Sequence, residues 1–402
     1  MYLLKAAKVI LGFPGDVIKN GAVLVEGDKI IAAGEYSQIS FLKDDQTKEI
    51  DLGDATLMPG LIDAHVHLGF DGSPNPVKEM MEATDYQLLT QMIYNAKLLL
   101  RSGVTTAREL GARNFLDLVV KEAIEKGMAE GPSLLVSNRP ITTTGGHCWY
   151  MGCECDNATE VRKAVREHAK AGADLIKIMA TGGALTKGSS PWEARFTLEE
   201  MQAATNEAHT LGLKVASHAH GTPGIETSIE AGVDTIEHCS WFTENGIQYD
   251  EDQARKLIEK NIYVCPTTNI SWKIDQRRIT ERIPQLKRMH EMGVKFIYGT
   301  DAGIPHVTHD KYVDGLEVLT YAGMTNGEIL ESATSLAAEA LGVSDVTGSI
   351  QAGKRADLIA IEGDPLTDLA VLRNIQFVMT NGKIPSFVYG LAASKQALGN
   401  QI

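Results

Sequence analysis

The chain has 402 residues, 44% hydrophobic and 22% charged, a composition that excludes disorder and leaves room for one large domain or two smaller ones. Fifty-two acidic against 38 basic side chains give a net charge of -14, which argues against a nucleic-acid partner, since phosphate binding draws on clustered Lys and Arg. No stretch approaches the roughly 18 to 20 uninterrupted apolar residues of a membrane span, and the apolar N-terminus is broken by Lys5 and Lys8 with no cleavage-like pattern after it, so a cytoplasmic protein is expected. Five cysteines in a long chain fit reduced thiols better than a disulfide framework.

In chain order, the first 58 residues read as short β-rich runs (3–10, 22–26, 29–33 and 55–58) punctuated by turn residues such as Gly27-Asp28. From Pro59 to about residue 342 the grammar changes to a short β-branched apolar run followed by a helical pattern, repeated eight times. The expected strands are 61–67, 105–111, 133–138, 174–180, 214–220, 235–239, 263–267 and 295–302. Helical patterns include 79–101, 116–126, 160–171, 198–211, 250–259, 279–292 and 326–341. Thr197 with Glu200 forms a capping box, and Gly172, Gly212 and Gly232 stand where helices should stop. Eight such units in about 280 residues are the arithmetic of an α/β fold of the (β/α)₈ TIM-barrel type, with a doubly wound open sheet as the runner-up. Residues 356–361 and 377–380, the latter ending in Asn381-Gly382, again read as hairpin-closed strands. The expected division is therefore a barrel over 59–342 and a small β-sandwich domain built from both chain ends, 1–58 and 343–402.

Active sites of parallel barrels lie where the strands end, so the polar residues closing each apolar run matter most. The first run ends Ala64-His65-Val66-His67, the fifth Ser217-His218-Ala219-His220, the sixth Glu237-His238 and the eighth Gly299-Thr300-Asp301. Two histidines two apart on a strand share a face at about 7 Å spacing, close enough for one metal ion. One such pair is a weak signal, but His65, His67, His218, His238 and Asp301 at equivalent heights form a strong one, and imidazole suits zinc. Lys177, inside the apolar run Leu175-Ile176-Lys177-Ile178-Met179, must pair with an acid, lose its charge or be modified; as a carbamate formed with carbon dioxide it becomes an anionic bridge between two cations. Either His218 or His220 can serve as the fifth-strand ligand.

The run MPGLIDAHVH (58–67), Lys177, His218, His238, Gly299-Thr300-Asp301 and Gly353-Lys354-Arg355-Ala356-Asp357 resemble the amidohydrolase superfamily over essentially the whole chain. Ala173-Asp174-Leu175-Ile176-Lys177, Thr181-Gly182-Gly183, Thr144-Gly145-Gly146-His147 and His218-Ala219-His220-Gly221 are similar to its imidazolonepropionase-related branch of metal-dependent dipeptidases and carboxypeptidases, which includes enzymes acting on Xaa-Pro and on C-terminal Arg or Lys. The resemblance implies two divalent ions, Zn2+ first among them, with His65, His67 and Asp301 on one, His218 and His238 on the other, and carboxylated Lys177 and a hydroxide bridging. It also implies that Asp301 acts as general base and then acid, and that His147 polarises the scissile carbonyl or holds substrate. The family position favours His218 as ligand, which leaves His220 to contact substrate or to support the ligands.

The segment 181–195 is composed like a mobile lid whose Trp192 and Arg195 can close on substrate, Arg195 through a peptide carboxylate. His306 and His309 in the loop after Asp301 are further substrate candidates, and Thr267 and Asn269 lie in the specificity loops. Asp310 and Asp314 would favour a basic C-terminal residue and Tyr312 a proline. His168, His209 and His290 sit in outer helices and receive no function. The expected activity is hydrolysis of amide bonds in dipeptides, short peptides or N-acyl amino acids, by a homo-oligomer with a small-molecule or short-peptide substrate and neither nucleic acid nor membrane as partner. Rivals are a deaminase, which lacks a use for Lys177, a cyclic-amide hydrolase, and a non-enzymatic scaffold that has lost its metals.

Overall fold

A computed structural model describes residues 1–12 and 15–388; the part of the expected C-terminal segment beyond 388 lies outside the described residues. Seven of the expected barrel runs are parallel strands: Leu61–Val66, Val104–Glu109, Ser133–Val136, Leu175–Met179, Lys214–Gly221, Thr235–Thr243 and Tyr263–Cys265. Most are buried on both faces, as a parallel sheet wrapped in helices requires, while Ser133–Val136 alternates buried with partly exposed residues. The first three pair in sequence, and so do the last four.

No single ladder runs round the ring; a few scattered bonds close the seams. The Asp174 amide donates to the Val136 carbonyl at 2.9 Å, linking the third strand to the fourth. Residues 295–302 link the seventh strand to the first through bridges at Val264–Phe296 and Val66–Ala302 and through the Ala64 amide, 2.9 Å from the Tyr298 carbonyl. This eighth segment is not a regular strand. The Thr300 amide and hydroxyl donate to the Asp63 carboxylate at 3.0 and 2.7 Å, which takes Thr300 out of the backbone ladder.

The outer helices follow the helical patterns with two corrections. The pattern 79–101 is two helices, Pro76–Glu82 and Asp85–Arg101, because Thr84 with Gln87 builds a capping box that restarts the chain. The pattern 326–341 divides into Asn326–Ser332 and Ser335–Leu341 around Thr334, whose backbone is not helical. Helices Thr222–Ala231 and Tyr312–Tyr321 complete the layer, and a π turn, Arg278–Arg282, precedes Ile283–Met292. None of the described helices is long and apolar enough to cross a membrane.

Both chain ends meet beside the barrel in a seven-stranded sheet. Its order is Ile375–Met379, Leu358–Ile361, Thr56–Pro59, Tyr2–Ile10, Val17–Glu26 and Lys29–Glu35, with Lys48–Asp51 added to Tyr2–Ile10. Leu358–Ile361 runs antiparallel to Thr56–Pro59, the strand that leads directly into the barrel.

Candidate active site

The strand ends converge on a cavity of about 440 Å³ lined by His65, His67, His147, Lys177, His218, His220, His238 and Asp301. The backbone there is bent away from regular strand: His238 (φ 69°), Thr267 (φ 53°) and Asp301 (φ 59°) all lie in the left-handed region. Non-glycine residues reach it at a cost of about 1–3 kcal/mol each, strain that the surrounding packing must sustain.

Three ligand-type atoms form a near-equilateral triangle. His65 Nε2 lies 3.3 Å from His67 Nε2 and 3.4 Å from Asp301 Oδ1, and His67 Nε2 is 3.3 Å from the same oxygen. Tetrahedral ligands about 2.0–2.1 Å from one ion stand about 3.3–3.4 Å apart, so the triangle has the size of a metal-binding face. Two wider groups, His65–His238–Asp301 and His218–His220–His238, keep their ligand atoms within 4.8 Å of one another.

In His65, His238, His218 and His220 one ring nitrogen is committed to a hydrogen-bond partner, whereas the second nitrogens of His67 and His147 have none. His65 Nδ1 donates to Glu237 at 2.8 Å. The Thr267 hydroxyl donates to the Pro266 carbonyl and therefore accepts from His238 Nδ1 at 2.8 Å, leaving His238 Nε2 as a lone pair. His218 Nε2 donates to the Gly182 carbonyl at 3.0 Å, which leaves Nδ1. His220 Nδ1 is engaged by the Ser240 hydroxyl at 2.9 Å, and its ring stacks on His238 and Phe242. Burial lowers the pKa of five of the rings: His65 to about 4, His147 and His220 to about 3, His218 and His238 well below the ordinary value. Neutral imidazole is the form that binds metal.

Lys177 is 1% exposed and its Nζ has no hydrogen-bond partner. Burial lowers its pKa to about 8, helped by Arg108 and opposed by Glu237 and Asp301. Burial also works to raise the Asp301 and Glu237 carboxyls, but it is outweighed. His65, His67 and Lys177 hold Asp301 below the carboxylate range, and Arg108, His65 and Lys177 do the same for Glu237. Arg108 ties this layer together, donating to the Ala64 carbonyl, the Thr235 hydroxyl and Glu237 at 2.6, 3.0 and 2.8 Å.

His147 reaches the cavity because Gly183 lacks a side chain: a Cβ there would sit 2.4 Å from the imidazole. Its ring centroid is 4.6 Å from that of His218. Arg195 and His306 lie outside the lining. Arg195 pairs with Glu193 at 3.0 Å, and His306 is exposed, although its neighbours Ile304 and Pro305 line the cavity. His309 is buried and donates to the His67 carbonyl at 3.2 Å. Asp310, Tyr312 and Asp314 are elsewhere: Tyr312 donates to the Ile62 carbonyl, and Asp314 pairs with Arg373. All five cysteines are free.

Sequence reasoning missed Asp63, Arg108 and Glu109, charged residues inside apolar strands whose signal is the same as that of Lys177, and named Glu237 at the sixth strand end without giving it a role. It also missed Arg278 and Arg282, which line the cavity from the π turn.

Residues 56–384 match the Amidohydrolase family. The ochratoxinase of Aspergillus niger is 28% identical over 94% of this chain and 85% of its own length. The imidazolonepropionase of Fusobacterium nucleatum subsp. nucleatum is 22% identical over 91% of both chains. A solved Xaa-Pro dipeptidase with methionine bound in its active site superposes with a TM-score of 0.84 at 30% identity, over 96% of this chain and 99% of that one.

Proposed function

Because the chain belongs to the amidohydrolase family, we propose that it hydrolyses amide bonds of dipeptides, short peptides or N-acyl amino acids with the aid of two divalent ions, zinc first among them. His65, His67 and Asp301 would hold one ion, His218 and His238 the other, and a carbamate on Lys177 both. The observation that carries this reading is the buried, unpartnered Lys177 amine in the same cavity as the 3.3–3.4 Å triangle of His65, His67 and Asp301. An amine with a pKa near 8 keeps a neutral, nucleophilic fraction near neutral pH; its nitrogen adds to carbon dioxide, one proton leaves, and an anion replaces a cation. In this reading residues 59–342 are the catalytic unit.

Bound ions would supply Lewis acidity and a water acidic enough to attack near neutral pH. The chain's own residues do the rest. Asp301 accepts the proton of the attacking water at its carboxylate and returns it to the departing amine nitrogen. His147, neutral and close to His218, is placed to hydrogen-bond the substrate carbonyl or its developing oxyanion. Glu237 and Arg108 keep His65 oriented, and the Gly182 carbonyl does so for His218. The peptidase name of the Xaa-Pro dipeptidase neighbour supports an open-chain amide.

Purified protein supplied with zinc and bicarbonate should carry two ions per chain and turn over members of a panel of C-terminally varied dipeptides and N-acyl amino acids. Turnover of cyclic amides alone would refute the reading.

A further inference from the structure

One wall of the cavity is built by the segment after the seventh strand, and its charge is positive. Arg282 is 3% exposed and lines the cavity. Its guanidinium donates to the His238 carbonyl at 2.7 Å, to the Cys239 carbonyl at 3.1 Å and to the Gln285 side chain. Among the described residues no carboxylate pairs with it; all of its partners are neutral. Arg278 lines the same wall, donates to the Ser271 hydroxyl, and has one acid, the largely exposed Asp275, at 3.5 Å. Both guanidinium carbons lie 5.4 Å from the centroid of Trp272, so one indole holds two like charges side by side.

Two cations held side by side, Arg282 buried and Arg278 about a third exposed, need a reason. Capping the carbonyls of the bent sixth-strand end explains Arg282 only in part, since neutral donors can do that, and Arg278 makes none of those bonds. Nearby acids do not answer the charge. Glu281 pairs with Arg277, and Asp301, the acid of the lining, is taken up by His65 and His67. Divalent ions beside His238 would add further positive charge, which makes the wall costly unless an anion sits against it. A planar guanidinium fork matches a carboxylate bidentately, and two forks suit two carboxylates.

We propose that Arg278 and Arg282, set by Trp272 and Ser271, form the subsite for the leaving half of the substrate and select an amino acid with two carboxylates, a C-terminal Asp or Glu. This rests on the amide-hydrolase reading and names its substrate class. It reverses the sign expected from Asp310 and Asp314, neither of which lines the cavity.

The test compares N-acetyl-L-glutamate with N-acetyl-L-glutamine and with the α-amide of N-acetyl-L-glutamate on zinc-loaded enzyme, so that each carboxylate is removed in turn. Each removal should lower kcat/KM at least about tenfold, mostly through KM, because a guanidinium fork is left without its anion. Arg278→Gln and Arg282→Lys should bring the glutamate and glutamine substrates close to parity; should Arg282→Lys fail to fold, Arg278→Gln carries the test. Calorimetry with the product amino acids gives a readout apart from turnover: L-glutamate should bind at least about tenfold more tightly than L-glutamine, and Arg278→Gln should abolish the difference. Equal kcat/KM and equal binding for the glutamate and glutamine pairs would overturn the subsite while leaving the hydrolase intact. A protein that prefers L-glutamate yet cleaves no amide would keep the anion subsite and refute the hydrolase.

Discussion

Lys177 and Glu237 sit in the same apolar layer and fail in opposite ways when changed. Lys177 has no partner to lose, so Lys177→Ala removes only the proposed carbamate and a buried amine. We expect activity to fall at least about a hundredfold with the circular dichroism spectrum of the fold unchanged. Near-normal turnover with two ions bound would contradict the bridge. Glu237 has three partners: it accepts from His65, Arg108 and the Thr235 hydroxyl. Glu237→Gln halves the acceptor capacity and leaves the Arg108 guanidinium without its anion. Zinc affinity, measured by titration against a competing chelator, should drop about 10- to 100-fold. An unchanged affinity would mean that the carboxylate does not orient His65.

At the scale of elements, helix Tyr312–Tyr321 is a strut between the barrel and the seven-stranded sheet, its apolar face buried in the core and its outer face tied by ion pairs. Glu317 on this helix pairs with Lys273, which follows the seventh strand, and at 2.5 Å with Arg373, which precedes strand Ile375–Met379. Its hydrogen bond to Arg373 lowers the carboxyl pKa from 4.5 to about 2, with Lys273 assisting and burial opposing. A depressed carboxyl stabilises the fold while ionised, so its contribution is complete above about 4.5 and disappears as the pH falls towards about 2. Thermal unfolding followed across that window should show a decline that Glu317→Gln makes shallower; parallel curves for the two proteins would rule the strut out. The same scale shows what the sequence made legible. Strand order and the histidine ends could be read because buried parallel strands are unbroken apolar runs and because ligands cluster where such runs stop. The break at Thr84 was missed although Thr-x-x-Gln spells a capping box, since the helical period continues through it. The eighth strand was overcalled because Thr300 gives its amide to the Asp63 side chain, a contact 237 residues away that no local pattern encodes. Arg278 and Arg282 were invisible for a similar reason: only the fold turns a charged helix start towards the histidines.

At the scale of the whole molecule, the proposed site would tie together a ring whose strands form no continuous ladder. Ladders join strands one to three and four to seven, while the seams on either side depend on a few scattered bonds and on an irregular eighth segment. The proposed ligands come from strands one, four, five and six and from that eighth segment, so they span both seams. Ions bound there would cross-link elements that the backbone joins by few bonds, and any ligand that binds the folded state alone stabilises it, by about 2.7 kcal/mol at a hundredfold excess over its dissociation constant. Chelation should therefore lower the unfolding midpoint by at least a few degrees, and zinc should restore it. The loss should appear first in backbone protection, with hydrogen exchange quickening in residues 295–302 and 61–66 before the fourth to sixth strands, whose ladders do not depend on the site. A midpoint indifferent to chelation in a protein shown to have released its metal would mean that the ring is held by its helices, and that the histidines contribute chemistry without contributing closure.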